Sequence, residues 1–595
     1  MKDFAKLSLR LLAVLLLALS PAAAQDQRPN ILVVLLDDVG FSGLGAYGGV
    51  VRTPRIDSLA KQGISLSRYY TSPFCGPSRA MLMTGMDNHQ IGMGTLVETV
   101  TKEMRAAPGY SMRWDAAQKT IATLLSAAGY QTYVTGKWGI GEIGANLPHK
   151  FGFQKSYVMD ATGGGNYDAK PYLPGSHAVE WFEDGAPVSL PADFYSSKTL
   201  VDKMIGYVKA GDPARPFFGY LSLQAVHMPI QVPVEYVGRY NGMFDAGWDV
   251  MRVEQLRRAI NLGLVPPTTQ LPPAPKSHRK WNDLSPEERA VSAREMQVNA
   301  GMMEAADYHI GRLLDHLQAS GQLANTIVMV LSDNGAESGK TSLDGAANLA
   351  LDAVKWIEGF DTSFENLGQR QSLTAVGPEW ASVLSAPFDL YKFYGGEGGL
   401  RVPLVIAGPG IPAAGVKHAP VHVADLVPTM LAAAGVSYDP QQFYGRSALP
   451  MFTGQSDKTY QEDESFAFEV SGNAALYQGN WKITRNTPPL GDSQWRLYDL
   501  SEDPGETTDL ATAQPERFQT MLAAYRAYAE KVGVLEVGPD DCAIKVLAQN
   551  LTSKVIQKYW PHLLGLLLAV AAVLFFAFKL LRLLLRRRRT RIATA

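Results

Sequence analysis

Apolar runs without a single polar position alternate along the chain with stretches of helical spacing. Ile31-Leu32-Val33-Val34-Leu35-Leu36 follows Pro29-Asn30 and reads as a strand buried on both faces, the kind found in parallel sheets. Ile327-Val328-Met329-Val330-Leu331 repeats the pattern. It comes after a predicted helix over 305–317, in which Ile310, Leu313, Leu314 and Leu317 share one face. A helix over 121–127, broken by Gly129, leads into a strand over 132–135; further strands are predicted at 216–223 and 402–406. This alternation predicts an α/β sandwich around a mainly parallel central sheet. Ligands of such sheets sit beyond the carboxyl ends of the strands. Asp37, Asp38, Lys137, His227, Asp333 and Asn334 all fall there.

Between 232 and 285 the chain is rich in Pro and Arg with weak periodicity, which predicts a loop-rich insertion, placed over the site. From about 445 the texture changes to short runs such as Trp481-Lys482-Ile483-Thr484 and Trp495-Arg496-Leu497-Tyr498. They predict a smaller α+β domain with an antiparallel sheet, closed by a helix over 515–532. The expected organisation is a large α/β domain at 25–444, the small domain at 445–535 and a linker at 536–558.

The two ends differ from the rest. Residues 1–24 carry Lys2, Lys6 and Arg10, then an apolar run, then Pro21-Ala22-Ala23-Ala24, the pattern of a secretory signal peptide. Residues 563–578 hold no charge and lie between Tyr559-Trp560 and Lys579, Arg582 and Arg586-Arg587-Arg588-Arg589. This predicts a transmembrane helix over 559–585 and a cytoplasmic basic tail at 586–595. The bulk of the chain is then periplasmic or extracellular, anchored in the inner (cytoplasmic) membrane. A net charge of −2 over 595 residues gives no basic excess for nucleic acid. Two cysteines, Cys75 and Cys542, exclude a disulfide scaffold, so Cys75 needs its own explanation.

The sequence around it supplies one. Cys75-Gly76-Pro77-Ser78-Arg79-Ala80-Met81-Leu82-Met83-Thr84-Gly85 resembles the signature of the type I sulfatases: Cys, any residue, Pro-Ser-Arg, three residues, an apolar one, Thr-Gly. The likeness runs from 29 to about 510, and the stretches 95–110 and 377–392 look closest to bacterial arylsulfatases. The resemblance implies an alkaline-phosphatase-like fold. It implies that an external maturation enzyme oxidises Cys75 to formylglycine, whose hydrate attacks sulfur with one oxygen and expels sulfate through the other. Asp37, Asp38, Asp333 and Asn334 match the family's metal ligands, with Cys75 in its converted form counted among them. Oxygen donors suit a hard cation, here Ca²⁺, with Mg²⁺ as the alternative. Arg79 matches the arginine that holds the formylglycine. Lys137, and Lys392 ahead of Glu397-Gly398-Gly399-Leu400-Arg401, match lysines that clamp sulfate, and His227 in Ala225-Val226-His227-Met228-Pro229 matches the proton donor to the leaving oxygen. The implied reaction is hydrolysis of a small-molecule or glycan sulfate ester, an aryl sulfate first. One departure stands out: Gly136-Lys137-Trp138-Gly139 carries glycine where the family commonly has histidine. Either another group, such as His149 or His89, replaces it, or sulfate release is slow. The alternatives are a phosphonate or phosphate ester hydrolase of the same superfamily, and a membrane-anchored binding protein with impaired turnover.

Overall fold

The computed structural model describes residues 28–593 apart from 174, 177, 340–353 and 539–541; the expected signal peptide lies outside the described residues. Its strands are β1 (Asn30–Leu36), β2 (Ile64–Tyr70), β3 (Gln131–Lys137), β4 (Lys155–Met159), β5 (Trp181–Glu183), β6 (Ala186–Pro187), β7 (Phe217–Ser222), β8 (Thr326–Ser332), β9 (Arg401–Ala407), β10 (Gly415–Lys417), β11 (Val421–His422) and β12 to β15 (Ser465–Val470, Asn473–Gln478, Trp481–Arg485, Trp495–Asp499). The longer helices are α1 (Pro54–Gln62), α2 (Cys75–Thr84), α3 (Ile121–Ala127), α4 (Ser196–Ala210), α5 (Gly247–Asn261), α6 (Pro286–Ala319), α7 (Pro378–Ser385), α8 (Leu426–Ala433), α9 (Pro515–Val532) and α10 (Ala543–Ala593).

All seven residues of β1 are buried. Leu32, Val34 and Leu36 point into one core with α4 and α6. Ile31, Val33 and Leu35 point into the opposite core with α2, α3 and α8. This period of two is why the segment needs no polar position. The central sheet runs β10-β2-β9-β8-β1-β7-β3-β4-β5-β6, with β11 beside β2. It corrects the expected mainly parallel sheet to a mixed one. Pairs β8·β1, β1·β7, β7·β3 and β3·β4 are parallel. β9 is antiparallel to both β2 and β8, and β4·β5 and β5·β6 are antiparallel. An apolar run reports burial on both faces and carries no sign of strand direction, which the connections decide.

The helix expected over 305–317 begins much earlier. Ser285 and Glu288 form a reciprocal capping box: Glu288 N–H donates to Ser285 Oγ at 3.1 Å and Ser285 N–H to the Glu288 carboxylate at 2.7 Å. The 232–285 segment also departs from expectation, because it contains α5. Trp248, Met251, Gln255 and Ala259 form the buried stripe of that helix. A polar residue sits in the stripe while Val250 and Val253 are exposed outside it, and that inversion hid the helical period. The segment packs away from the site: Trp248 and Trp281 form an edge-to-face cluster with Trp380.

β12 to β15 form the antiparallel sheet expected for the C-terminal region. One face (Ala467, Leu476, Ile483, Leu497) packs on Met521, Leu522 and Tyr525 of α9; Phe466, Phe468 and Tyr477 on the other join the large core. Residues 543–558, expected as a linker, are the first turns of α10. No single helix among the described residues is long and apolar enough to cross a membrane. Ala543–His562 and Leu567–Leu583 pass that test only as a pair bent by 43°, so the expected single span over 559–585 is not supported.

Candidate active site

Four adjacent parallel strands bring the chemistry together. Asp37 follows β1, Lys137 ends β3, Ser222 ends β7, and Asp333 and Asn334 follow β8. Leu36 is in register with Ser332, and Ser222 with both Leu35 and Gly136, so these ends lie at one level. His227 comes five residues after β7, and Lys392 from the loop between α7 and β9. Cys75 opens α2, and Arg79 lies one turn on. Every residue of α2 is buried. Its first N–H groups have no partner within the helix, so the positive end of the helix dipole meets the site at Cys75.

Arg79 ties the strand ends together. Its Nε donates to Asp333 Oδ2 at 2.8 Å, and its Nη1 to the Lys137 carbonyl at 2.9 Å and to Ser222 Oγ at 2.6 Å. Its Nη2 lies 2.7 Å from Asp333 Oδ2 and 3.2 Å from Asp37 Oδ1. Lys137 Nζ donates to both oxygens of Asp37, at 2.9 and 2.7 Å. Lys392 Nζ is 2.7 Å from Asp38 Oδ1 and 3.4 Å from Glu337 Oε2. Asn334 Nδ2 donates to Asp38 Oδ1 at 2.6 Å. His227 Nδ1 is 2.5 Å from the Met228 carbonyl. A carbonyl only accepts, so Nδ1 carries the proton and Nε2 faces Glu337 at 3.5 Å and Asp38 at 3.8 Å.

These contacts set the charges. Burial opposes charge on Asp38, but Lys392 and His227 outweigh it and hold the carboxyl below its usual range. Burial lifts Asp333 to about 6 against the pull of Arg79. Burial also raises Glu337 well above an ordinary carboxylate and pushes the Cys75 thiol up. Burial, reinforced by Lys137, takes His227 well below an ordinary imidazole. Both lysines stay charged, because Asp37 and Asp38 more than offset their burial.

The donor set could hold a cation. Carboxylate oxygens of Asp37, Asp38 and Asp333 lie within 4.8 Å of one another. Among the described residues, Asp38 Oδ2 and Asn334 Oδ1 are buried acceptors without a hydrogen-bond partner, an expensive condition that a hard cation relieves. Sequence reasoning missed Ser222 and Glu337. Ser222 is only the last residue of a strand, and Glu337 one acid in a loop, although it follows Asn334 by three positions.

Neither histidine offered as a stand-in for the one missing at Gly139 fits that part. His89 is committed elsewhere, with Nδ1 3.1 Å from Asp87 and Nε2 2.9 Å from Glu469. His149 is exposed, and its ring lies against Gly185 in the turn between β5 and β6. The Gly139 carbonyl abuts Gly76, next to Cys75. A cavity of about 570 Å³ opens from Cys75, His227, Glu337 and Lys392. Leu96 lines it, and no residue of 232–285 does, so the expected insertion over the site is not there.

A family model described as Sulfatase matches residues 29–436, and one described as N-sulphoglucosamine sulphohydrolase, C-terminal, matches 388–526. The chain belongs to the sulfatase family and is a sulfuric ester hydrolase. It is 34% identical to an uncharacterized sulfatase of Schizosaccharomyces pombe, over 87% of this chain and 96% of that one. It is also 34% identical to an arylsulfatase of Klebsiella aerogenes, over 73% of this chain and 93% of that one. The crystal structure of Ps i-CgsB with k-i-k-neocarrahexaose superposes with a TM-score of 0.60 at 24% identity, covering 84% and 93% of the two chains. At that identity the likeness supports the alkaline-phosphatase-like fold alone.

Proposed function

We propose that the protein cleaves an aryl sulfate or similar ester to the alcohol and sulfate, using formylglycine made from Cys75 and a divalent cation. Ca²⁺ is the first choice and Mg²⁺ the second. The observation that carries this reading is the convergence of the Cys75 end of α2, Lys137, Lys392 and His227 on one buried cluster of carboxylates. The 34% identity to the Klebsiella aerogenes arylsulfatase supports an aryl ester over a glycan.

Asp37, Asp38, Asp333, Asn334 and the converted Cys75 would hold the cation, which when bound polarises a sulfate oxygen and lowers the pKa of the hydrated aldehyde. The chain's own residues do the rest. Arg79, fixed by Asp333, Asp37 and Ser222, sets the spacing of the strand ends and of α2. Lys137 and Lys392 are buried cations at the mouth of those strands and bind the sulfate oxygens, countering charge that develops at sulfur. His227 keeps Nδ1 on the Met228 carbonyl and presents Nε2 to the cavity. An anionic ester there favours its protonated form, so Nε2 can pass a proton to the leaving oxygen. Leu96 and Phe393 line the same cavity and keep bulk water from the reacting end.

The reading extends to location. In this reading the leader exports the domain, and the bent pair Ala543–His562 and Leu567–Leu583, in place of a single straight span, holds it at the inner membrane. The outward apolar side chains in the second half of α10, such as Leu574 at 65% and Phe576 at 67% exposure, support this.

The first test is the mass of the tryptic peptide 69–79 from a host that matures sulfatases. An aldehyde at Cys75 is expected. Activity on 4-nitrophenyl sulfate should fall at least a hundredfold on chelation and return with Ca²⁺. An unmodified thiol, with a control sulfatase matured in the same host, sinks the formylglycine reading. Full activity after exhaustive chelation sinks the metal.

A further inference from the structure

The first turns of α10 form a wall of the cavity that contains Cys75 and Lys392. Ile544, Leu547 and Leu551 line it. They stand at i, i+3 and i+7, one face of the helix. Ala543 shares a buried cluster with Phe74, Cys75, Leu96 and Val470. The helix is pinned along its length. Asn550 Nδ2 donates to the Glu98 carbonyl at 2.8 Å. Further on, Lys558 Nζ and Tyr559 OH reach Glu358 Oε1 at 2.8 and 2.7 Å. The backbone of Val555 lies so close to Gly175 that a Cβ there would meet it at 3.1 Å. A second cavity of about 730 Å³ shares Glu98, Thr162, Tyr172 and Leu173 with the first, and Lys554 and Lys558 of the same helix line it.

Whatever is bonded to the sulfate must lie in this cavity beyond Cys75 and Lys392, against α10. The α10 wall it meets there is aliphatic, whereas Glu98, Tyr172, Ser338, Lys355 and Thr362 line the cavity elsewhere. Two polar residues nearby are already engaged: Thr162 Oγ1 donates to Glu98 at 2.5 Å and Thr374 Oγ1 to Glu295 at 2.8 Å. A polyhydroxylated leaving group would leave hydroxyls unpaired against Ile544, Leu547 and Leu551 and lose its hydration there. An apolar one would bury its surface on them. We propose that Ile544, Leu547 and Leu551 form the leaving-group pocket, and that the substrate is the sulfate ester of an apolar phenol or alcohol. The inference rests on the sulfatase reading and names its substrate class.

The test uses the matured, detergent-solubilised full-length protein. Kinetics are compared for 4-octylphenyl sulfate and a 6-sulfated N-acetylglucosamine. Binding of 4-octylphenyl sulfate to the Cys75→Ala chain is measured alongside, since it needs no turnover. The octylphenyl ester should have the higher kcat/KM, by tenfold or more. Leu547→Asn, and separately Ile544→Ala with Leu551→Ala, should raise its KM roughly tenfold, the size expected for lost methylene contacts in such a pocket, with kcat changed less than about twofold. The same changes in the Cys75→Ala background should weaken binding by a similar factor. Preference for the sugar ester overturns the proposal. So do folded variants, with an unshifted Tm, that keep the wild-type KM and affinity. Binding that depends on Leu547 without turnover of any ester supports the pocket and instead sinks the sulfatase reading beneath it.

Discussion

Gly139 shows what a single position decides. Its φ is +60°, a left-handed conformation that glycine adopts freely and histidine can tolerate. A Cβ there would lie 3.3 Å from Lys137 Cε and 3.4 Å from the Ala161 carbonyl, so the flexible lysine needs to shift by only tenths of an ångström. Gly139→His should therefore fold. With His89 and His149 both turned elsewhere, two readings remain: slow release, and replacement by a group other than these two. On the first, single-turnover sulfate release should rise several-fold in the variant, with ester cleavage little changed. An unchanged release rate rules slow release out. Of the residues drawn together at the site, the signature pair Cys75 and Arg79 and the strand-end acids Asp37, Asp38 and Asp333 were legible. They sit at motif positions or where an apolar run stops. Glu337 was not, because one acid in a loop is ordinary and its burial beside Lys392 comes from the fold.

At the scale of elements, a buried cluster clamps the small sheet to the large domain. His89, after α2, bridges Asp87 and Glu469 of β12, and Tyr528 of α9 donates to Asp87 at 2.8 Å. Burial opposes charge on His89, but the two carboxylates prevail and raise it from 6.5 to about 9. The folded state therefore binds the proton more tightly than the unfolded chain does. The stabilisation is complete below about pH 6.5 and is lost as pH rises through about 9, a change on the order of 3 kcal/mol. Urea midpoints should fall over that interval in the wild type. In His89→Gln the fall should vanish; a slope that persists assigns it to another group. The strands and α9 of this region were legible from alternation and turn residues. The clamp was not, since Asp87 and Glu469 are 382 positions apart in the chain. The α5 helix escaped because Gln255 occupies its buried stripe.

At the scale of the whole molecule, α10 connects the reacting end to an exposed apolar stretch. Its first turns are packed on the domain, while Leu567 and Leu568 are 61% and 62% exposed. Such a run is unfavourable in water, and the proposed anchor would bury it in lipid. Alkaline carbonate washing of membranes should leave the full-length chain in the pellet and release a chain ending at 562. Release of both refutes the anchor. Because Cys542, Ala543 and Val546 are buried in the domain, a cut made nearer to them would also disturb the cavity.

The sequence by itself determined the family, the run-and-helix alternation, the signature around Cys75 and most of the carboxylate cluster. These depend on local patterns: apolar runs, spacing along a helix, and a motif of consecutive residues. Only the tertiary structure decided that β9 runs antiparallel, that Ser222 and Glu337 join the site, that α5 packs away from it, and that α10 walls the cavity. Each of these turns on which distant segments meet, and a chain encodes that through the sum of many weak packing choices with no single local signal.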